Sequence, residues 1–262
     1  MKKAMKRFGA MLLAVAMLAS LVACGGGSQQ SDDTVVYKAV TEATFPPFDM
    51  VDENGNIVGF DMDLMDAIAE DQGFTVEYTD MAFDSLIPAV QAGNADMITA
   101  GMWADDPERM ELLDFVVYYD QGGSVLLTRA DDDRITDMES LTPDMKVASQ
   151  IGTDYADELM ALEEEGKIGK AVIMDGFDIC VLQLSNGDVD AIYVGSEIAK
   201  AYMNSSDGKL KIASDLLNSQ RTGFAVAKGN KELYDKIAAG LENVKASGKY
   251  DELIEKWFSG EE

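Results

Sequence analysis

From residue 35 onward, short apolar runs alternate with stretches of helical periodicity, and the pattern runs through twice with a break near the middle. In the first series, strands are expected over 35–41, 75–79 and 97–100, with helices over 60–72 and 84–92. Gly73 and Gly93 follow those helices as stops. Asp106 before Pro107 reads as an N-cap and a first helical residue, so a short helix starts there. A strand over 123–129 and the turn Ala130-Asp131-Asp132-Asp133 end the series. The second series has strands over 146–149, 171–174, 191–194 and 221–227. Its helices are expected over 154–165, 177–185, 196–203, 231–247 and 250–258. Strands alternating with helices imply an α/β fold with parallel or mostly parallel sheets.

The two series echo each other. In 92–101 and in 186–195 a glycine ends a helix, an aspartate follows three residues later, and a glycine comes five after that. The echo suggests two similar lobes. Ligands of open α/β sheets sit at the carboxyl ends of strands. Gly101 and Gly195 lie at two such ends, which would face each other across a cleft.

Residue types narrow the chemistry further. The 262 residues include no histidine, so a Ser-His-Asp or Cys-His nucleophile and a histidine zinc site are excluded. Two cysteines, Cys24 and Cys180, make no disulfide framework, and Cys180 reads as a small buried hydrophobe. Lys plus Arg is 21 against 48 for Asp plus Glu, a net charge of −27, which lacks the basic face that nucleic acid requires. No Gly-x-x-x-x-Gly-Lys-Ser/Thr occurs, so ATP hydrolysis is not expected. No pattern asks for a cofactor or a metal.

The N-terminus reads as an address. Lys2, Lys3, Lys6 and Arg7 precede an apolar run over 8–22 that is short for a membrane span. Leu21-Val22-Ala23-Cys24 resembles a bacterial lipoprotein signal. That resemblance implies a signal peptide over 1–23, lipidation at Cys24, and a flexible tether over 24–33. The rest would stand on the outer face of the cell membrane, or on the periplasmic side in a two-membrane cell, held by lipid alone.

Motifs in order along 35–258 carry a wider resemblance. They include Thr41-Glu42-Ala43-Thr44-Phe45-Pro46-Pro47-Phe48, Gly59-Phe60-Asp61, Phe83-Asp84-Ser85-Leu86, Ala100-Gly101-Met102 and Pro107-Glu108-Arg109. Gln150-Ile151-Gly152-Thr153, Gly187-Asp188-Val189-Asp190-Ala191 and Gly248-Lys249-Tyr250-Asp251 follow. Together they resemble the bacterial extracellular solute-binding proteins of family 3. The resemblance implies a two-lobed clamshell of the periplasmic-binding-protein-like (type II) form with two crossover strands, near 121–125 and 218–224. Lobe 1 would be 34–122 plus 221–262 and lobe 2 would be 123–220. It implies a monomeric, non-enzymatic receptor of an ABC importer. Such a receptor captures a small polar ligand, an amino acid or a derivative, and hands it to a permease.

The resemblance also implies a site. Arg109 matches the position whose guanidinium pairs with a ligand α-carboxylate, a task suited to its planar fork. Read alone, Arg109 would be a surface partner of Glu108 or Glu111. Ala100, Gly101 and Met102 would present backbone to the ligand, and Gly152 and Thr153 precede a helix start with free N–H groups. Phe45 and Phe83 match ring positions that flank the ligand, or else they pack in a core. Glu42 matches an acidic position that would meet a ligand cation or lie solvated at the rim.

Two departures stand out. The stretch after Met102 is one residue longer than usual and brings in Trp103, either as a platform for the ligand or as packing under the short helix. Gly195 stands where similar proteins place an aspartate for the α-ammonium, while Asp154 adds negative charge near the carboxylate pocket. Glu42, Asp154 or Glu197 would then replace the acceptor, or the ligand lacks an α-ammonium. Two other functions stay open: a cyclohexadienyl-dehydratase-like enzyme with Glu42 or Asp154 as general acid, and a sensor without transport.

Overall fold

Backbone pairing organises residues 34–259, which the computed structural model describes, around two five-stranded sheets. The expected signal peptide, tether and Cys24 lie outside the described residues. The first half of the chain supplies β1 (Val35–Thr41), β2 (Thr44–Phe45), β3 (Asp49–Val51), β4 (Ile57–Val58), β5 (Phe74–Asp80), β6 (Met97–Ile98) and β7 (Leu113–Gly122). It also supplies helices α1 (Phe60–Gln72), α2 (Phe83–Gln91) and α3 (Pro107–Leu112). After β8 (Ser124–Arg129) come β9 (Lys146–Gln150), α4 (Asp154–Glu164), β10 (Lys170–Met174), α5 (Phe177–Asn186) and β11 (Ala191–Gly195). The chain then forms α6 (Ser196–Asn204), β12 (Leu210–Ile212), β13 (Gln220–Ala227), α7 (Lys231–Ala246) and α8 (Lys249–Phe258).

One sheet runs β5-β1-β6-β13-β7 and the other β10-β9-β11-β8-β12. Pairs β1–β5, β1–β6, β9–β10 and β9–β11 are parallel, as the alternation implies. The other half is antiparallel: β13 against β6 and β7, and β8 against β11 and β12. The expectation of parallel or mostly parallel sheets is corrected to mixed sheets. A parallel neighbour needs a crossover that turns the chain round. Strands β8 and β13 instead arrive from the other sheet and enter their new one in the opposite sense. The ten-residue β7 has no counterpart in the periodicity reading, because its burial follows neither a period of 2 nor a helical one.

The echoed segments do the same job in each sheet. Gly93 and Gly187 take left-handed backbone, φ +71° and +81°, after α2 and α5. Asp96 then accepts from Lys38 N at 2.8 Å, and its own N–H returns to Lys38 O at 2.8 Å. Asp190 does the same with Lys146, at 2.9 and 2.8 Å. Each aspartate thus fixes the register of a short central strand, β6 or β11, against its parallel neighbour. The carboxyl end of that strand then leads to Gly101 or Gly195.

Between the sheets the chain crosses at residues 122–124 and returns through 213–219. These passages touch: Ser124 N donates to Asn218 Oδ1 at 3.0 Å and Leu217 N to Ser124 O at 2.9 Å. Gly123 makes the approach possible, since a Cβ there would lie 2.2 Å from the Asn218 carbonyl oxygen. The obstacle is backbone, which cannot swing aside as a side chain would. Gly123→Ala is therefore expected to cost about 1–3 kcal/mol through overpacking, read as a lower urea midpoint. An unchanged midpoint would mean the crossovers part freely.

Candidate functional site

Where the two sheets face each other a cleft is lined from both sides and from the crossovers. Phe45, Phe83, Trp103, Arg109 and Tyr119 come from the first half, and Gln150, Thr153, Asp154, Tyr155, Gly195 and Glu197 from the second. Gly122, Gly123, Gln220 and Thr222 form the wall beside the crossovers.

Arg109 is placed by sequence-local chemistry. Asp106 caps α3 by accepting from Arg109 N at 2.8 Å, with Pro107 at the first helical position. The helix points the arginine inward, where it is only 7% exposed. Its Nη2 donates to Gly152 O at 3.1 Å and to Asp154 Oδ1 at 3.2 Å, both beyond the crossover, and Nη1 donates to Trp103 O at 3.4 Å. Asp106 Oδ2 lies 3.9 Å from Nε, and the Phe83 ring centroid 5.6 Å from the guanidinium carbon. The alternative of a surface pair with Glu108 or Glu111 is therefore replaced by buried pairing across the two halves of the fold.

Opposite Arg109, α4 begins with Thr153 as N-cap, its hydroxyl accepting from Ala156 N at 3.3 Å and donating to Gln150 O at 2.6 Å. That fixes Asp154 at the first helical residue. Burial pushes the Asp154 carboxyl up to about 7, with Arg109 pulling it down and the neighbouring Asp106 carboxyl adding to the rise. Tyr155, next along, donates to Gln220 Oε1 at 2.6 Å and so ties α4 to β13.

Gly101 needs its glycine twice over. Its φ is +56°, and a Cβ would fall 2.6 Å from the Phe45 ring. Its N–H donates to buried Asp61 at 2.8 Å, and Tyr118 donates to the other oxygen of that carboxylate. Gly101 lines the cleft, as expected of a residue that presents backbone there, with its N–H held by Asp61.

Four residues expected in the site lie outside the lining. Ala100 and Met102 are buried in the apolar cluster behind the cleft, and Met102 O accepts from Gly223 N at 3.1 Å. Gly152 packs against Asp84 and reaches the site only through the carbonyl that Arg109 binds. Glu42 sits behind the lining, neither solvated nor at the rim. Its Oε1 accepts from Thr44 at 2.6 Å, its Oε2 is buried without a partner, and burial raises its pKa. Trp103 faces the cleft and bridges to Thr222 on β13.

Sequence reasoning missed Tyr119, Tyr155 and the crossover-side wall. Tyr155 follows directly on Gly152-Thr153-Asp154 and was findable there. Tyr119 lies on β7, whose pattern is not periodic. The crossover-side residues meet because distant passages of the chain run side by side.

The raised Asp154 carboxyl gives a signed expectation. The folded chain holds this proton between about pH 4 and pH 7, where the unfolded chain releases it, so its contribution to stability falls as pH rises through that window. Buried Asp61, also pushed up to about 7, acts in the same direction. The difference between wild type and Asp154→Asn isolates Asp154: the melting temperature of the wild type should fall more steeply across that range. Parallel curves would show that Asp154 ionises freely.

Comparison with known proteins adds to this geometry. The family model described as bacterial extracellular solute-binding proteins, family 3, matches residues 37–260. The putative ABC transporter arginine-binding protein 2 of Escherichia coli K12 is 30% identical over 247 residues, covering 92% of this chain and 98% of that protein. A solved mutant of ArgBP from T. maritima is 40% identical with a TM-score of 0.79, covering 86% of this chain and 95% of that one. An ancestral arginine-binding protein bound to arginine is 37% identical with a TM-score of 0.80, covering 85% and 98%.

Proposed function

The chain belongs to the family 3 bacterial extracellular solute-binding proteins, and from that membership we propose that it is the amino-acid receptor of an ABC importer. Lobes 34–122 plus 221–262 and 123–220 are the two jaws in this reading, hinged at the touching crossovers, a familiar mode of ligand-gated closure. One observation carries it: a buried guanidinium, Arg109, between two halves of the fold in a cleft walled by Phe45, Phe83, Trp103, Tyr119 and Tyr155. A planar donor fork in a dry aromatic slot suits an α-carboxylate with a side chain stacked between rings. The similarity to arginine-binding proteins makes L-arginine the first ligand to try.

A heat-shift panel of the twenty amino acids tests this. Ligand at about 100 times its dissociation constant stabilises by about 2.7 kcal/mol, which for a chain this long raises the melting temperature by about 5–10 °C. Arg109→Met is expected to weaken the best ligand by about 100-fold, since removing one partner of a buried charge pair costs roughly 3 kcal/mol. If no amino acid moves the melting temperature, the reading is wrong.

In the same reading the chain is exported, cleaved before Cys24 and held by lipid. It meets the permease as a monomer and turns nothing over. Labelled palmitate should be incorporated by the wild type and lost in Cys24→Ser. Among the described residues no helix is long and apolar enough to cross a membrane. The dehydratase alternative has one observation in its favour: Asp154 keeps a proton up to about pH 7 beside Arg109, as a general acid would. Incubation with prephenate or arogenate decides, and no aromatic product is expected.

A further inference from the structure

Resting on the amino-acid reading above, we propose that Asp154 is the acceptor for the ligand's α-ammonium, and that the zwitterion enters by splitting the Asp154–Arg109 ion pair. An amino acid needs two seats of opposite sign a few ångströms apart. Arg109 is the anion seat. The cation seat is not at Gly195, which has no side chain. The space of its missing Cβ is already met by Ile198 Cδ1 at 2.9 Å and the Tyr155 hydroxyl at 3.3 Å.

Two carboxylates line the cleft, those of Asp154 and Glu197. Glu197 is committed: its oxygens take the Ser196 hydroxyl at 3.0 Å and Lys200 Nζ at 3.1 and 3.2 Å. Glu42 does not reach the lining. Among the described residues, Arg109 is the one positively charged side chain from which Asp154 accepts, at 3.2 Å.

The guanidinium geometry shows why the pair must open. A bidentate carboxylate uses Nη2 together with either Nη1 or Nε. Here Nη2 gives its two hydrogens to Gly152 O and Asp154 Oδ1. A ligand carboxylate therefore takes over the Asp154 position, and the released aspartate stands beside the bound ligand's ammonium. With Asp154 ionised, as it is above about pH 7, one buried ion pair becomes two while Asp106 stays 3.9 Å from Nε, an arrangement that burial tolerates.

Calorimetry on the full chain tests this with L-arginine and 5-guanidinopentanoate, which lacks only the α-ammonium. L-glutamine and glutaramate form a second pair. Asp154→Asn is expected to weaken the α-amino acid at least about tenfold while the ammonium-free analogue binds as well or better, its competitor for Arg109 being gone. Asp154→Glu, which keeps the charge one methylene further out, should retain more of the α-amino-acid affinity than Asp154→Asn does. Melting curves check that each variant folds. Tighter amino-acid binding in Asp154→Asn would make Asp154 a competitor only, and equal weakening of both ligands would make it a structural group; either result overturns the proposal. Wild-type binding with unchanged Asp154→Asn affinity removes this inference alone. Absence of any α-amino acid binding in the wild type removes the amino-acid reading and this inference with it.

Discussion

A guanidinium taken out of water must be met by acceptors wherever it points, and Arg109 is met from both halves of the fold. Its carbonyl and carboxylate partners, Trp103 and Asp106 on one side and Gly152 and Asp154 on the other, span the cleft between the two sheets. Burial makes each of these contacts stronger and each loss more costly than at a surface. The aromatic walls follow from the same constraint. Rings exclude water without offering competing donors, and Phe83 adds a π-face to the cation.

Behind the cleft a second polar arrangement holds the backbone that frames it. Asp61 lies fully buried and receives Gly101 N–H and the Tyr118 hydroxyl, so that the strand end at Gly101, the helix α1 and the long strand β7 meet on one carboxylate. Two donors offset part of the desolvation that pushes this group up to about 7. The arrangement also takes up the Gly101 N–H inside the protein. The groups that the cleft presents are mainly side chains: Arg109, Asp154 and the rings.

Much of the fold was legible along the chain. Helices α1, α2 and α5 announce themselves by apolar spacing and glycine stops, and Asp106-Pro107 marks α3 to the residue. The echo of residues 92–101 in 186–195 pointed to two sheets built alike, and the matched aspartate clamps on Lys38 and Lys146 are its physical content. The site was legible where a motif fixes local geometry, as at Arg109, Phe45, Phe83 and Thr153. It was not legible where placement depends on what lies across the fold. Glu42 has the residue type of a rim acid, yet it is buried behind the lining, with Gly176 at the start of α5 packed beside its carboxylate.

Local spacing decided the α/β class, the helix boundaries and the residue types available for chemistry, because periodicity, capping and backbone freedom act over a few residues. The absence of histidine likewise closed whole mechanisms without any coordinates. Tertiary structure alone decided that the sheets are mixed, that the crossovers touch at Gly123 and Asn218, and that Arg109 pairs with Asp154 across 45 residues. Those outcomes turn on which distant surfaces share the same dry space. Pairing of charges and exclusion of water are properties of that space, and no window along the chain contains it.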